Sequence, residues 1–227
     1  MAAKLRSISR NQRFISACKG AFIFVLLLQF LGARSFVWGA LYAACALIMY
    51  FRPMFNASAL APFIFAIVAL PFAADISALW LRVAFAALFA AAFIVTLGVK
   101  NLTLTHRERW MHIVAYPLAY LSFLLFFVRV PSSVFLGAWA FALAVLACII
   151  RVTIRDSRIA MPVLLLMGEL LIAVAWLPIG PVASANLTLL AFLFIADTLC
   201  ERRLHAFNIA AFIGVSGLIA LTSAWRL

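Results

Sequence analysis

Apolar residues in this chain come in about nine blocks, each followed by a short basic or Pro/Gly break. That alternation constrains the fold more than any other feature. A water-soluble domain needs a polar exterior, yet 69% of the 227 residues are apolar and only six are acidic. The chain therefore reads as an all-α, polytopic transmembrane helical bundle. A spanning helix takes about 20 apolar residues, with a lower limit near 17. Nine spans in 227 residues leave about 25 for each helix and its connection, so spans are short and loops tight. No catalytic domain fits outside the bilayer.

The expected organisation is one integral membrane domain over 1–227, with 1–13 as a basic cytoplasmic segment. The spans are placed at 14–33, 36–51, 57–74, 79–99, 110–128, 132–150, 159–177, 182–199 and 206–225. Lys19, Gln29 and Arg34 interrupt the first two, so eight spans remain an alternative. The basic start followed by Ala21–Leu31 also has the pattern of a secretory signal, and we expect it to persist as the first span.

Loop charge tests the count independently. Under strict alternation with the N-terminus inside, fourteen basic residues fall on inner segments and four (Arg34, Arg82, Arg129, Arg226) on outer ones. Cytoplasmic connections carry excess Lys and Arg, so the bias favours nine spans, N-in and C-out. The same bias accounts for the net charge of +12 through anionic headgroups. No basic face with interleaved aromatics lies outside the spans, so nucleic acid is not an expected partner. A bacterial cytoplasmic (inner) membrane is the expected location.

Trp38, Trp80, Trp176 and Trp225 fall at outer span ends and Trp110 at an inner one, as amphipathic indoles favour. Trp139 lies deeper and should pack against another helix. Pro131, Pro178 and Pro181 sit at breaks, whereas Pro62, Pro71 and Pro117 fall inside spans and should kink them. Ala206, Ala210 and Gly214 form a small-residue stripe, suited to close packing within the chain or to a homo-oligomer face.

Chemistry is sought among ionisable groups at membrane depth, each of which costs a few kcal/mol there unless neutralised or paired. Glu169 falls in the middle of its span, so it should be protonated or hydrogen-bonded to a neutral group such as Gln29 or Asn208. It reads either as a proton or substrate site or as a buried polar pin. Asp75 and Arg82 flank a tight hairpin and are expected to pair. Asp197 precedes Glu201, Arg202, Arg203 and His205 at an inner interface, and the last three make a candidate headgroup or anion patch.

Other constellations are weak. Cys18, Cys45, Cys148 and Cys200 lack paired metal-ligand spacing, and His106, His112 and His205 are too shallow for haem. We expect no metal and no cofactor. Gly214-Val215-Ser216-Gly217 matches the short string of intramembrane serine proteases, but no histidine lies at its depth to act as base.

Phe51-Arg52-Pro53 with Ala74-Asp75, and Leu193-Phe194-Ile195-Ala196-Asp197, resemble fragments of the lysoplasmalogenase-type membrane family. Arg, Ala and Ala stand where that family's pattern has Lys, Gly and Ser, so the resemblance implies no activity for this chain. The expected function is a non-catalytic membrane subunit or an assembly and interaction protein, with membrane lipids and other membrane subunits as partners. Two alternatives stand beside it: a small-solute or proton-linked transporter using Glu169, and a lipid-acting enzyme with an interfacial carboxylate and basic site.

Overall fold

The computed structural model describes residues 2–52, 60–101, 103–104, 106–129, 135–154, 157–201 and 206–224. Among these residues there is no strand. The helices are α1 (Ala2–Ala33), α2 (Phe36–Phe51), α3 (Ala61–Ala73), α4 (Leu79–Lys100), α5 (Arg107–Arg129), α6 (Phe135–Thr153), α7 (Ser157–Ala175), α8 (Pro181–Glu201) and α9 (Ala206–Ala224). Hydrocarbon offers the backbone no hydrogen bonds, so an apolar chain of this kind satisfies its peptide groups within each segment.

The helices fall where the apolar blocks do. The largest difference is at the start, where α1 takes in the basic segment expected to stand apart. No Gly or Pro occurs before Gly20 to interrupt it, and Lys, Arg and Gln are good helix formers. Six helical stretches are long and apolar enough to cross a membrane: Asn11–Ala33, Leu79–Lys100, Arg107–Arg129, Phe135–Thr153, Arg158–Ala175 and Pro181–Thr198. With 16 and 13 residues, α2 and α3 are shorter, about 24 and 20 Å at the α-helical rise.

The breaks have local causes. Arg34 ends α1 in the left-handed region, at φ 49, while its N–H still donates to the Phe30 carbonyl at 2.8 Å. Ser35 is extended and carries no side-chain cap, so α2 begins almost at once. Pro62 lies in the first turn of α3 rather than inside it; the sequence expectation of a kink there does not apply, because a first-turn proline sacrifices no helical hydrogen bond. Pro71 and Pro117 do fall inside helices, as does Pro162 of α7. Pro181 opens α8.

Two compact units result, Met1–Val114 and Ala115–Leu227. In the first, α1 packs on α4 and α2, and α3 packs on α2 and α4. Ile23, Leu27, Tyr42, Phe63, Ile67, Phe89 and Phe93 are fully buried at its centre. In the second, α6, α7, α8 and α9 pack in sequence around buried Leu146, Ile149, Val163, Met167, Leu171 and Phe192. Aromatic edges add to it, with Phe123 of α5 6.4 Å from Phe192 of α8.

Helices in lipid gain little from hydrophobic exclusion, so close backbone approach and dispersion must hold them. Gly20 of α1 makes that approach to α4: a Cβ there would lie 2.2 Å from Ile94 Cγ1, whereas Gly32 has nothing within 4 Å. Gly20→Leu is therefore expected to cost about 1–3 kcal/mol, the range for overpacking, and Gly32→Leu to be near neutral. Thermal unfolding of the two variants in mild detergent tests this. Equal melting temperatures would show that the α1–α4 contact does not depend on the missing side chain.

Candidate functional site

Of the sequence-predicted groups, Asp75 and Arg82 belong to the first unit and Glu169 and Asp197 to the second. Asp75 lies in the extended connection between α3 and α4. Its carboxylate pairs with Arg34 Nη2 at 2.9 Å, not with Arg82 as expected. Arg82 Nε instead donates to the Ile76 carbonyl at 2.9 Å, and Arg34 Nη2 reaches that carbonyl at 3.4 Å. The left-handed turn at Arg34 carries the chain back from α1 to α2 beside this connection, so a residue 41 positions away outcompetes the hairpin neighbour. Both members of the pair are more than half exposed, at 55% and 64%, so the bridge is a peripheral tie rather than a buried site.

Glu169 sits on α7, about 16 Å along the axis from Arg158 and about 9 Å from Ala175. The expected burial is not observed: its side chain is exposed, while neighbouring Gly168 is buried. Val163, Met167, Leu171 and Val174 make the buried face of α7, and Pro162, Leu165, Leu166, Glu169 and Ala173 make the exposed face opposite it. Steps of three and four residues place each set on one side of a helix. No described residue hydrogen-bonds or ion-pairs with Glu169. Of its two expected partners, Gln29 is itself exposed on α1, and the Asn208 side chain lies outside the described residues.

What fixes this rotation of α7 is the contact at Gly168. Trp139 of α6, expected to pack on another helix, donates its indole N–H to the Gly168 carbonyl at 3.2 Å. A Cβ on Gly168 would stand 3.3 Å from Leu143 Cδ2. With Gly168 turned to α6, the next residue is carried about 100° around the helix, away from it.

Asp197 is exposed near the end of α8. In an antiparallel α7–α8 hairpin it lies about 15 Å along the axis from the level of Glu169, so these carboxylates do not form a dyad. Arg202, Arg203 and His205, the expected headgroup patch, lie outside the described residues. Three buried hydroxyls bond within their own helices: Thr96 donates to the Ala92 carbonyl, Ser122 to Ala119 and Thr188 to Ser184. These bonds to the preceding turn occupy the three hydroxyl protons. Ser216 Oγ, within the Gly214–Gly217 string, is buried without a described partner. Among the described residues no three His, Cys, Asp or Glu side chains converge as metal ligands.

Two groups escaped the sequence reading as site residues. Lys19 of α1 donates to the carbonyls of Met49 and Arg52 at 3.1 and 3.3 Å. Lys100 of α4 donates to the Tyr50 carbonyl and stands 4.8 Å over the Tyr50 ring. In sequence Lys19 appears as an interruption of the first apolar run and Lys100 as one basic residue of an inner connection; nothing short of the tertiary contact shows that both reach one helix end.

No family model matches this chain, nor does any characterised protein or solved structure.

The strain at Arg34 gives a test of the cluster around Asp75. Arg34→Ala and Arg34→Gly both delete the ion pair, but only glycine adopts φ 49 freely, a difference worth about 1–2 kcal/mol for a side chain in the left-handed region. Arg34→Gly should thus unfold at the higher temperature of the two. The reverse order would mean that this turn is held by something other than the backbone conformation described.

Proposed function

We propose that this protein is a small integral membrane subunit whose role is assembly, docking through α7 onto a spanning helix that carries a hydrogen-bond donor. One observation carries the reading: a carboxyl in an otherwise apolar, exposed helix face at membrane depth. A charged side chain there costs about 2.5–3.5 kcal/mol by insertion scales. Protonation lowers that cost but leaves a polar group still seeking a partner. A helix with a lysine, amide or hydroxyl at the same level supplies one, and the flanking Leu165 and Leu166 seal the contact from lipid.

The small residues of α9 support a second surface of the same kind. Ala210 and Gly214 are exposed, and nothing lies within 4 Å of the position a Gly214 Cβ would take. A second copy of the chain or another subunit can approach closely there. Proton-linked transport is the competing use of Glu169, and substitution separates the two. Interhelical polar contacts are worth about 1–2 kcal/mol in model peptides. Under the assembly reading Glu169→Gln keeps the hydrogen bond and is nearly silent, while Glu169→Leu weakens the complex about tenfold, the equivalent of about 1.4 kcal/mol. Sizing of the full chain, extracted from its own membrane in mild detergent, reads this directly. Wild-type protein running as a lone chain removes the assembly reading. Loss of a proton-coupled flux in Glu169→Gln, with the complex intact, favours transport.

The topology that accompanies this reading has nine spans with the N-terminus cytoplasmic and the C-terminus outside, in a bacterial inner membrane. The fourteen-to-four division of basic residues under that alternation supports it. In that arrangement α2 and α3 cross with local thinning or with flanking side chains reaching toward the headgroups. Single cysteines placed at each terminus of a cysteine-free variant should differ in labelling by an impermeant maleimide. The C-terminal site reacts in intact cells and the N-terminal site only after lysis. Labelling of both ends from one side would overturn the odd span count.

A further inference from the structure

We infer that Lys19 and Lys100 form a binding site for a phosphate group, at the end of the first unit where α2 and α4 terminate. The site begins with a backbone shortage. The last four carbonyls of a helix have no partner within it, and α2 is only 16 residues long, about 24 Å, so its C-terminus stops short of a typical 30 Å hydrocarbon core. Two ammonium groups meet it there. Lys19, about 12 Å along α1 from Asn11, bridges the Met49 and Arg52 carbonyls. Lys100, the last residue of α4, takes the Tyr50 carbonyl between them. Both side chains are part-buried.

These contacts satisfy the carbonyls but not the charge. A helix C-terminus presents about half a negative charge, against two full positive ones. More positive charge lies beside them: Arg13 Nη2 donates to the Thr103 carbonyl just beyond α4 at 3.4 Å, and the Arg52 side chain is exposed at the α2 cap. Within residues 1–114 the carboxylates are Asp75 and Glu108. Asp75 is held by Arg34 at the opposite end of α4, and Glu108 stands in the first turn of α5 with an interaction of its own. An ammonium has three donors; Lys19 uses two on carbonyls, and Lys100 one. Both ammonium groups therefore keep donors beyond those spent on the last carbonyls of α2, and a tetrahedral oxyanion at that helix end would accept from both. Basic pockets between spanning helices take anionic headgroups on this principle.

Amine footprinting tests the site on the unaltered protein, because the chain has three lysines, Lys4, Lys19 and Lys100, and Lys4 is an internal control. The full chain in maltoside micelles and phosphate-free buffer is treated with an amine-acetylating reagent, and each lysine's rate is read by peptide mass spectrometry. Three additions are compared: phosphatidylglycerol, inorganic phosphate, and oleate as an anion without phosphate. At a ligand concentration about ten times the Kd, Lys19 and Lys100 should react about tenfold more slowly while Lys4 is unchanged. Protection by phosphatidylglycerol alone makes the ligand a lipid headgroup, and protection by inorganic phosphate as well makes it a free phosphate. Equal slowing of all three lysines, protection by oleate to the same degree, or no protection overturns the proposal.

Discussion

Peptide groups in hydrocarbon have no solvent to fall back on, and the architecture of this chain follows from that shortage. Along the helices the requirement is met without side chains, which is why a sequence with so little polarity still forms defined elements. At helix ends it is not met automatically, and there several basic side chains supply the missing donors. Arg34 turns its backbone left-handed while keeping a bond to α1. Arg82 and Arg34 both reach the Ile76 carbonyl in the α3–α4 connection. Lys19 and Lys100 close the end of α2. In each case a cation serves an oxygen of the main chain, and only Arg34 among these four also serves a carboxylate, in keeping with 18 basic residues against six acidic ones.

The helix positions were legible because hydropathy along a chain is a one-dimensional signal, and a block of apolar residues between basic breaks has few alternatives. The start of α1 was not, since a segment rich in Lys, Arg and Gln is as good a helix as it is a polar tail. Rotation about each axis was less legible still. On α7 the buried face is Val163, Met167 and Leu171, and the exposed face includes Leu165, Leu166 and Ala173. In water such faces would differ in polarity, but against lipid both are apolar, so a wheel of this helix gives no direction. Only the Gly168 contact with Trp139 and Leu143 decides which side faces in, and it decides the fate of Glu169.

Pairing failed for a related reason. Asp75 and Arg82 are neighbours in sequence, and proximity along the chain made them the natural pair. Arg34 wins because the connections at α1–α2 and α3–α4 lie side by side within the first unit, a relation that no local pattern encodes. The lysines at the α2 terminus show the same limit: separated by 81 positions, they are visible in sequence only as a blemish in one apolar run and a charge in an inner connection.

The two units handle charge at membrane depth differently, and the difference bears on function. In the first, Arg13, Lys19, Arg34, Arg82 and Lys100 each have a carbonyl or carboxylate oxygen within reach, and the charge left over is positive. In the second, the carboxyl of Glu169 is turned outward on α7 by the packing of the residue beside it. Were this only a fault of composition, rotating α7 to bury the carboxyl would relieve it, but that rotation would drive Gly168 away from Trp139 and expose a main-chain carbonyl now bonded to an indole. The close contact and the outward carboxyl are therefore one arrangement. A helix held so firmly in the orientation that presents a polar group to its surroundings is suited to meeting another helix there.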